Sequence, residues 1–281
     1  MMNLRYRLLA IDVDGTLVNS DDELMPATRD ALRRAGRAGI RIVLATGRRY
    51  SHTLHLVEPL GIRVPLVTTG GALVKDPTDH RTLYKADFDR DLLRAALGVA
   101  EAGGHDVLLN ADTYCEGFDY FQAREEARSP LMAEYLVMNP RRGRLWPGMV
   151  ADPPPGVFAG FAMGTHDQML DLQRRLDDRL KAKIVTHVLR SPRYRGYMCE
   201  LAPAGVTKWS AIRRLAAAWA IPDEAICAVG DDVNDIPMIR AAGLGVAMGN
   251  ALAAVKAAAR RIAPTHDNDG LAEVVGWLLA E

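Results

Sequence analysis

The chain has 281 residues, 49% of them hydrophobic and 25% charged, which describes a soluble globular protein with room for two domains. Lys+Arg and Asp+Glu each number 35, so the formal net charge is zero and no overall field favours nucleic acid or a membrane surface. Cys115, Cys199 and Cys227 are scattered and form no CxxC, which argues against a disulfide framework or a zinc site and fits a reducing cytoplasm. An apolar stretch behind Arg5 and Arg7 is cut by Asp12 after a few residues, too soon for a signal peptide. No run approaches the roughly 18 apolar residues of a membrane-spanning helix.

In chain order, Leu8–Ile11 reads as a first strand, ending in Asp12-Val-Asp14-Gly-Thr16. Side chains alternate along a strand, so Asp12 and Asp14 project toward one space, and Gly15 lets the chain turn away. Paired carboxylates are tolerable beside a cation or with one protonated; they can hold a metal, or one can attack while the other carries a proton. The bland alternative is a strand end followed by an Asx turn. A helix is expected over Pro26–Arg37, with Gly39 just past its end, then a strand over Ile40–Ala45 that ends in Thr46-Gly47-Arg48. Ser51–Leu60 reads as a helix stopping before Gly61, and Val64–Thr68 as a third strand before Gly70-Gly71. This alternation means a parallel sheet with right-handed crossovers.

The middle of the chain changes character. Helices are expected at Asp89–Gly103 and His166–Leu180, and strands at Val107–Leu109 and Phe158–Met163, as in a separate α+β module. The βα rhythm then returns. Val206–Ala220 reads as a helix carrying Lys208 in its first turn. Ala225–Val229 is a strand, Asn234–Ala242 a short helix and Leu244–Met248 a strand, with helices at Asn250–Arg260 and Leu271–Leu279.

Gly230-Asp231-Asp232-Val-Asn234-Asp235 places three carboxylates and an amide in five residues after a strand. With Asp12 and Asp14 they make an all-oxygen site, which favours Mg²⁺ over zinc and suits a phosphate-bearing substrate. Acids at a helix N-terminus also suit the helix dipole, but that accounts for one or two of them. Thr46 offers a hydroxyl and a backbone N–H to a phosphoryl oxygen; Lys208 offers a cation against the aspartates. Each of these two is weak alone.

Taken together, DxDGT at 12–16, the threonine of Thr46-Gly47-Arg48, Lys208 and GDxxND at 230–235 resemble the four motifs of the haloacid dehalogenase superfamily. Ala45-Thr46-Gly47-Arg48, Gly249-Asn250-Ala251 and Asp267-Asn268-Asp269-Gly270 resemble its Cof-like group, type IIB. The resemblance implies an α/β fold: a Rossmann-like parallel-sheet core at 1–82 and 195–281, with an inserted α+β cap of the C2 type at 83–194. It implies a Mg²⁺-dependent phosphatase of small phosphorylated metabolites, such as sugar phosphates, working through an aspartyl-phosphate. Asp12 would be the nucleophile and Asp14 the general acid and base, its pKa raised by neighbouring charge. Thr46 and Lys208 would hold the phosphoryl group, with Gly47, Arg48, Asn234 and Asn250 around it. Asp12, Asp14, Asp231 and Asp235 would hold the metal.

Two positions depart from the family pattern: Gly70 stands where it usually has Asn, and Trp209 follows the lysine where it usually has Gly. A phosphomutase-type phosphotransferase, or a non-enzymatic phosphate- or metal-responsive module, are the competing functions. The absence of GxGxxG after the first strand excludes a dinucleotide site. In the insertion, Arg141-Arg142-Gly143-Arg144 is either an anion site or a solvated face. Tyr114, Phe118, Tyr120 and Phe121 are either an inner lining or core, and Tyr194 and Tyr197 share that ambiguity. Neither substrate nor oligomeric state is legible.

Overall fold

The computed structural model describes residues 4–190 and 194–280. The chain forms two compact units: one holds the residues up to Tyr84 and from Thr207 onward, the other is Lys85–Val206. Among the described residues, no helix is long and apolar enough to cross a membrane.

The first unit opens with β1 (Leu8–Ile11), four buried apolar residues in a row, the signature of a strand covered on both faces. α1 (Pro26–Ala38) has Pro at its start and Gly39 in a left-handed C-cap (φ 98°), as its punctuation requires. β2 (Arg41–Ala45) follows. The expected helix over Ser51–Leu60 is instead three single 3₁₀ turns, at Tyr50–His52, Leu54–Leu56 and Glu58–Leu60. Pro59 has no N–H to give and disfavours helical geometry in the residue before it, so a continuous α-helix has no support there. β3 (Leu66–Thr68), β4 (Leu73–Lys75) and β5 (Thr82–Lys85) complete this stretch. β4 runs antiparallel to β3 and extends the sheet where only a parallel run was expected.

The second unit carries α2 (Arg90–Ala102), capped by Asp89, whose carboxylate accepts from the Leu92 N–H. Then come β6 (Val107–Ala111), β7 (Tyr120–Gln122), α3 (Pro130–Met138), β8 (Gly143–Leu145) and β9 (Val157–Gly164). α4 (His166–Leu180) starts on a Thr165/Gln168 capping box. β10 (Ile184–Leu189) and β11 (Tyr197–Pro203) end the unit. Its six strands run in the order β10-β11-β9-β6-β7-β8, antiparallel except for the β7–β8 pair. One face packs with α2 and α4 around Leu97, Leu109, Leu172 and Leu176. The other packs Leu108, Phe161 and Tyr120 against Met132 and Tyr135 of α3.

The first unit resumes with α5 (Lys208–Ala218), β12 (Ile226–Gly230), α6 (Ile236–Ala241), β13 (Leu244–Ala247), α7 (Ala253–Ala258), β14 (Arg261–Ile262) and α8 (Gly270–Ala280). Its sheet has the order β14-β13-β12-β1-β2-β3-β4-β5. β1 lies between β12 and β2, parallel to both, with Ile11 beside Val229 and Leu44. The C-terminal ends of these three strands therefore share one edge, the edge at which open parallel sheets bind ligands.

Candidate active site

Asp12 leaves the end of β1, and its backbone N–H still donates to Val229 O at 3.0 Å, so the strand ladder fixes its position. Val13–Leu17 then makes one wide turn in which Gly15 is left-handed (φ 75°). A Cβ at Gly15 would run into the Asp231 carboxylate, so only glycine lets the two loops meet this closely. Thr16 Oγ1 donates to Asp231 Oδ1 at 3.3 Å and reinforces that meeting.

Lys208 is the first residue of α5, behind a Thr207/Ser210 capping box that sets the helix start. Gly71 (φ 106°) lies so close to the Thr207 backbone that any Cβ would collide with it, which seats the helix start against the loop after β3. The Lys208 ammonium, 2% exposed, donates to Asp12 Oδ1 at 2.5 Å, Asp235 Oδ1 at 2.7 Å and Asn234 Oδ1 at 3.2 Å. Asp235 Oδ2 in turn accepts from the backbone N–H groups of Asp231 and Asp232, both at 3.1 Å. Asp12, Lys208 and Asp235 are thus one buried cluster assembled from three distant stretches of chain.

The electrostatics of this cluster are unbalanced. Carboxylate oxygens of Asp12, Asp231 and Asp235 lie within 4.8 Å of one another. With all three ionised, the carboxylates against one ammonium carry two excess negative charges, the charge that a divalent cation would neutralise. Burial, then Asp235, hold the Asp12 carboxyl well above its ordinary range despite Lys208. Burial and Asp235 likewise push Asp231 up to about 7. Burial works against the charge on Lys208, but Asp12 and Asp235 outweigh it and hold the ammonium firmly protonated.

The remaining sequence-predicted residues fall around this centre in different ways. Thr46 is buried at the end of β2, but its backbone N–H donates to Val67 O at 2.9 Å and is not available to a phosphoryl oxygen as expected. Its hydroxyl accepts from the Arg48 N–H at 3.0 Å. Gly47 lies between them at the same edge. Arg48 grips Asp14 from two sides, Nη2 to Oδ1 at 2.6 Å and Nε to Oδ2 at 3.0 Å. The charged group beside Asp14 is therefore the Arg48 guanidinium. Asn250 Nδ2 donates to Gly15 O at 2.9 Å and to Asp231 Oδ2 at 3.4 Å, bracing the two acidic loops.

Three residues escaped the sequence reading. Asp22 receives Arg48 Nη2 at 2.5 Å. Ser20 donates through Oγ to Asp267 Oδ2 at 2.7 Å, and Asn250 Oδ1 accepts from the His266 N–H at 3.1 Å. The Asp267–Gly270 motif signalled that its stretch mattered; nothing in the local sequence marks Ser20 or Asp22. Gly70 (φ 63°) has open space where a Cβ would stand, and Trp209 packs half-buried against the core between α5 and the sheet.

In the second unit, Phe118, Tyr120 and Phe121 are core, Tyr114 is half-buried, Tyr194 lies tilted against Tyr135 (centroids 4.7 Å) and Tyr197 tilted against His166 (4.5 Å). Arg142 pairs with Asp119 at 3.9 Å and Arg144 with Glu116 at 3.3 Å, so this basic run is largely answered by acids of its own unit.

Clustered carboxylates thus surround a buried lysine at this sheet edge. A family model described as haloacid dehalogenase-like hydrolase matches residues 9–275, and the chain belongs to that family. It is 29% identical to phosphatase YwpJ of Bacillus subtilis, over 97% of this chain and 100% of that one. It is 27% identical to the Bacillus subtilis 5-amino-6-(5-phospho-D-ribitylamino)uracil phosphatase YwtE, over 98% of each. A solved haloacid dehalogenase-like hydrolase from Bacteroides thetaiotaomicron superimposes with a TM-score of 0.79 at 27% identity, over 97% of this chain and 99% of that one. The protein is an enzyme, a phosphoric monoester hydrolase.

Proposed function

We propose that this hydrolase is a Mg²⁺-dependent phosphatase of small phosphorylated metabolites and works through a phosphoryl group carried on Asp12. The observation that carries the reading is the buried Asp12–Lys208–Asp235 cluster with Asp231 beside it. An all-oxygen donor set with two excess negative charges fits Mg²⁺. Asp12, the Asp14 backbone carbonyl and Asp231 would hold it, with Asp235 in support. When bound, the ion supplies positive charge to the phosphoryl oxygens and to the carboxylate that must approach them.

The protein's own groups divide the rest of the work. Lys208 holds Asp12 Oδ1 and so fixes the carboxylate plane for attack. An Asp12 oxygen forms a bond to phosphorus as the bond to the leaving oxygen breaks, and Asp14 gives that oxygen a proton. In the second half Asp14 takes a proton from water, the water oxygen attacks phosphorus, and the bond to Asp12 breaks to release inorganic phosphate. The Lys208 ammonium offsets the phosphoryl charge, the Thr46 hydroxyl donates to a phosphoryl oxygen, and Asn234 steadies the ammonium.

The substrate class is a phosphomonoester on a small polar body. The relative YwtE carries in its name a substrate with a phosphorylated ribityl chain, which supports a sugar- or polyol-like leaving group here. The scattered cysteines, with no CxxC pair, suit a cytoplasmic enzyme. Phosphate release from a panel of sugar, polyol and heterocyclic phosphomonoesters, with Mg²⁺ or with a chelator, tests the reading. We expect release that requires Mg²⁺ and disappears in Asp12→Asn. Metal-independent release, or release that survives Asp12→Asn, would overturn it.

A further inference from the structure

Arg48 is a short clamp between two carboxylates. Nη2 reaches Asp14 Oδ1 at 2.6 Å and Asp22 Oδ1 at 2.5 Å, while Nε bridges both Asp14 oxygens at 3.2 and 3.0 Å. The arginine side chain is 6% exposed, so its position is set by these contacts and not by solvent. Its Nη1 is buried and finds no partner in the protein. A buried donor left unpaired is costly, and here it accompanies an orientation dictated by the other two nitrogens.

Asp22 reaches Arg48 from a loop tied by its own hydrogen bonds. Its backbone is left-handed (φ 64°), a conformation few residues other than Gly, Asn and Asp adopt readily. Asn19 holds that loop shut: its Oδ1 accepts from the N–H groups of Asp21 at 3.1 Å and Glu23 at 2.8 Å, and its carbonyl accepts from the Asp22 N–H at 3.0 Å. The adjacent Ser20 is tied through its N–H to Asp267 at 2.8 Å. The two-pronged contact aligns the guanidinium and the Asp14 carboxylate with each other. The second carboxylate, on a tied loop, anchors that aligned pair to the rest of the structure.

We infer that Asp22 is a positioning residue: through Arg48 it fixes the Asp14 carboxyl in the orientation from which protons are exchanged with the leaving oxygen. The inference rests on the phosphatase reading above. It assigns a role to a residue outside every motif of the chain, and it makes the loop at 19–23 part of the machinery for leaving-group departure.

The prediction is specific because proton delivery matters in proportion to the leaving group. An alkoxide needs a proton as it departs; a p-nitrophenolate scarcely does. A misplaced Asp14 should therefore slow alkyl phosphates more than p-nitrophenyl phosphate in kcat/KM, which reports the first phosphoryl transfer. Asp22→Ala is expected to lower the ratio of kcat/KM for an alkyl phosphate over that for p-nitrophenyl phosphate by about tenfold. Asp22→Glu, which restores the charge, should regain most of it. Asp22→Asn, close in shape, supplies the same comparison if the alanine variant fails to fold. A ratio that stays at the wild-type value, or a parallel loss on both substrates, would reduce Asp22 to a loop brace and overturn the inference. Wild-type enzyme inactive on both substrates would instead overturn the phosphatase reading, and this one with it.

Discussion

In the first unit, β1, β2 and β12 are parallel and almost wholly buried, and their polar residues come just past the strand ends: Asp12, Thr46 and Asp231. In the second unit the sheet is almost entirely antiparallel, its faces are filled by aliphatic and aromatic side chains, and its charged residues pair with one another on the surface. The first arrangement concentrates uncompensated charge at one edge. The second cancels charge locally. A unit that retains unbalanced buried charge does so at a cost in stability, and chemistry is the return on it. A unit whose ion pairs are exposed and self-contained is organised for packing.

That contrast can be broken most forcefully at Lys208. In Lys208→Ala the Asp12 and Asp235 carboxylates lose their buried counter-charge. Activity should fall by at least about 10²-fold, and unfolding stability without metal by about 3–5 kcal/mol. Steady-state kinetics and chemical denaturation measure the two losses. Retained stability would mean that the first unit holds less buried charge than the geometry indicates. Tyr135→Ala in the second unit should be comparably destabilising, by about 3–5 kcal/mol, for a different reason: it empties space among Tyr120, Phe161 and Tyr194. Added Mg²⁺ should recover part of the Lys208→Ala loss, by binding the exposed charge, and none of the Tyr135→Ala loss.

The elements and residues that a sequence reader finds follow the same division. β1, α1, β2 and α4 could be placed because buried runs and cap residues are local signals, and the edge residues because their spacing is local too. α3 was missed: Leu131, Met132, Leu136, Val137 and Met138 put apolar groups all round the helix, with Val137 80% exposed, so it has no single apolar stripe to read. β7 and β8 are three residues each and exist through long-range pairing. Gly71 looked like loop punctuation, yet its role is a contact with Thr207 more than a hundred residues away in the chain, and Asp22 meets Arg48 across a shorter break, 26 residues, that no local pattern marks.

Titration sharpens the comparison next. Asp231 is pushed up to about 7 from an ordinary value near 4, so the metal-free folded state holds a proton there that the unfolded chain has released. From this group, stability without metal should fall as pH rises between about 4 and 7, the reverse of the usual paired aspartate. Mg²⁺ competes with that proton, so its affinity should drop about tenfold per unit as pH falls below 7. Calorimetric titration at pH 6 and 8 reads the difference; equal affinities would contradict it. The smallest effect belongs to the second unit's surface. Arg144→Ala removes an exposed pair with Glu116 and should change stability by less than about 1 kcal/mol in thermal unfolding.

The central claim is that Asp12 carries the phosphoryl group between the two halves of the reaction. Acid quench during turnover, followed by peptide mapping by mass spectrometry, tests it most directly. The account predicts one phosphoryl group on the peptide containing Asp12, accumulating further in an Asp14→Asn variant given p-nitrophenyl phosphate, and absent in Asp12→Asn. Steady turnover with no phosphorylated peptide under any quench, or a phosphoryl group on another residue, would contradict it.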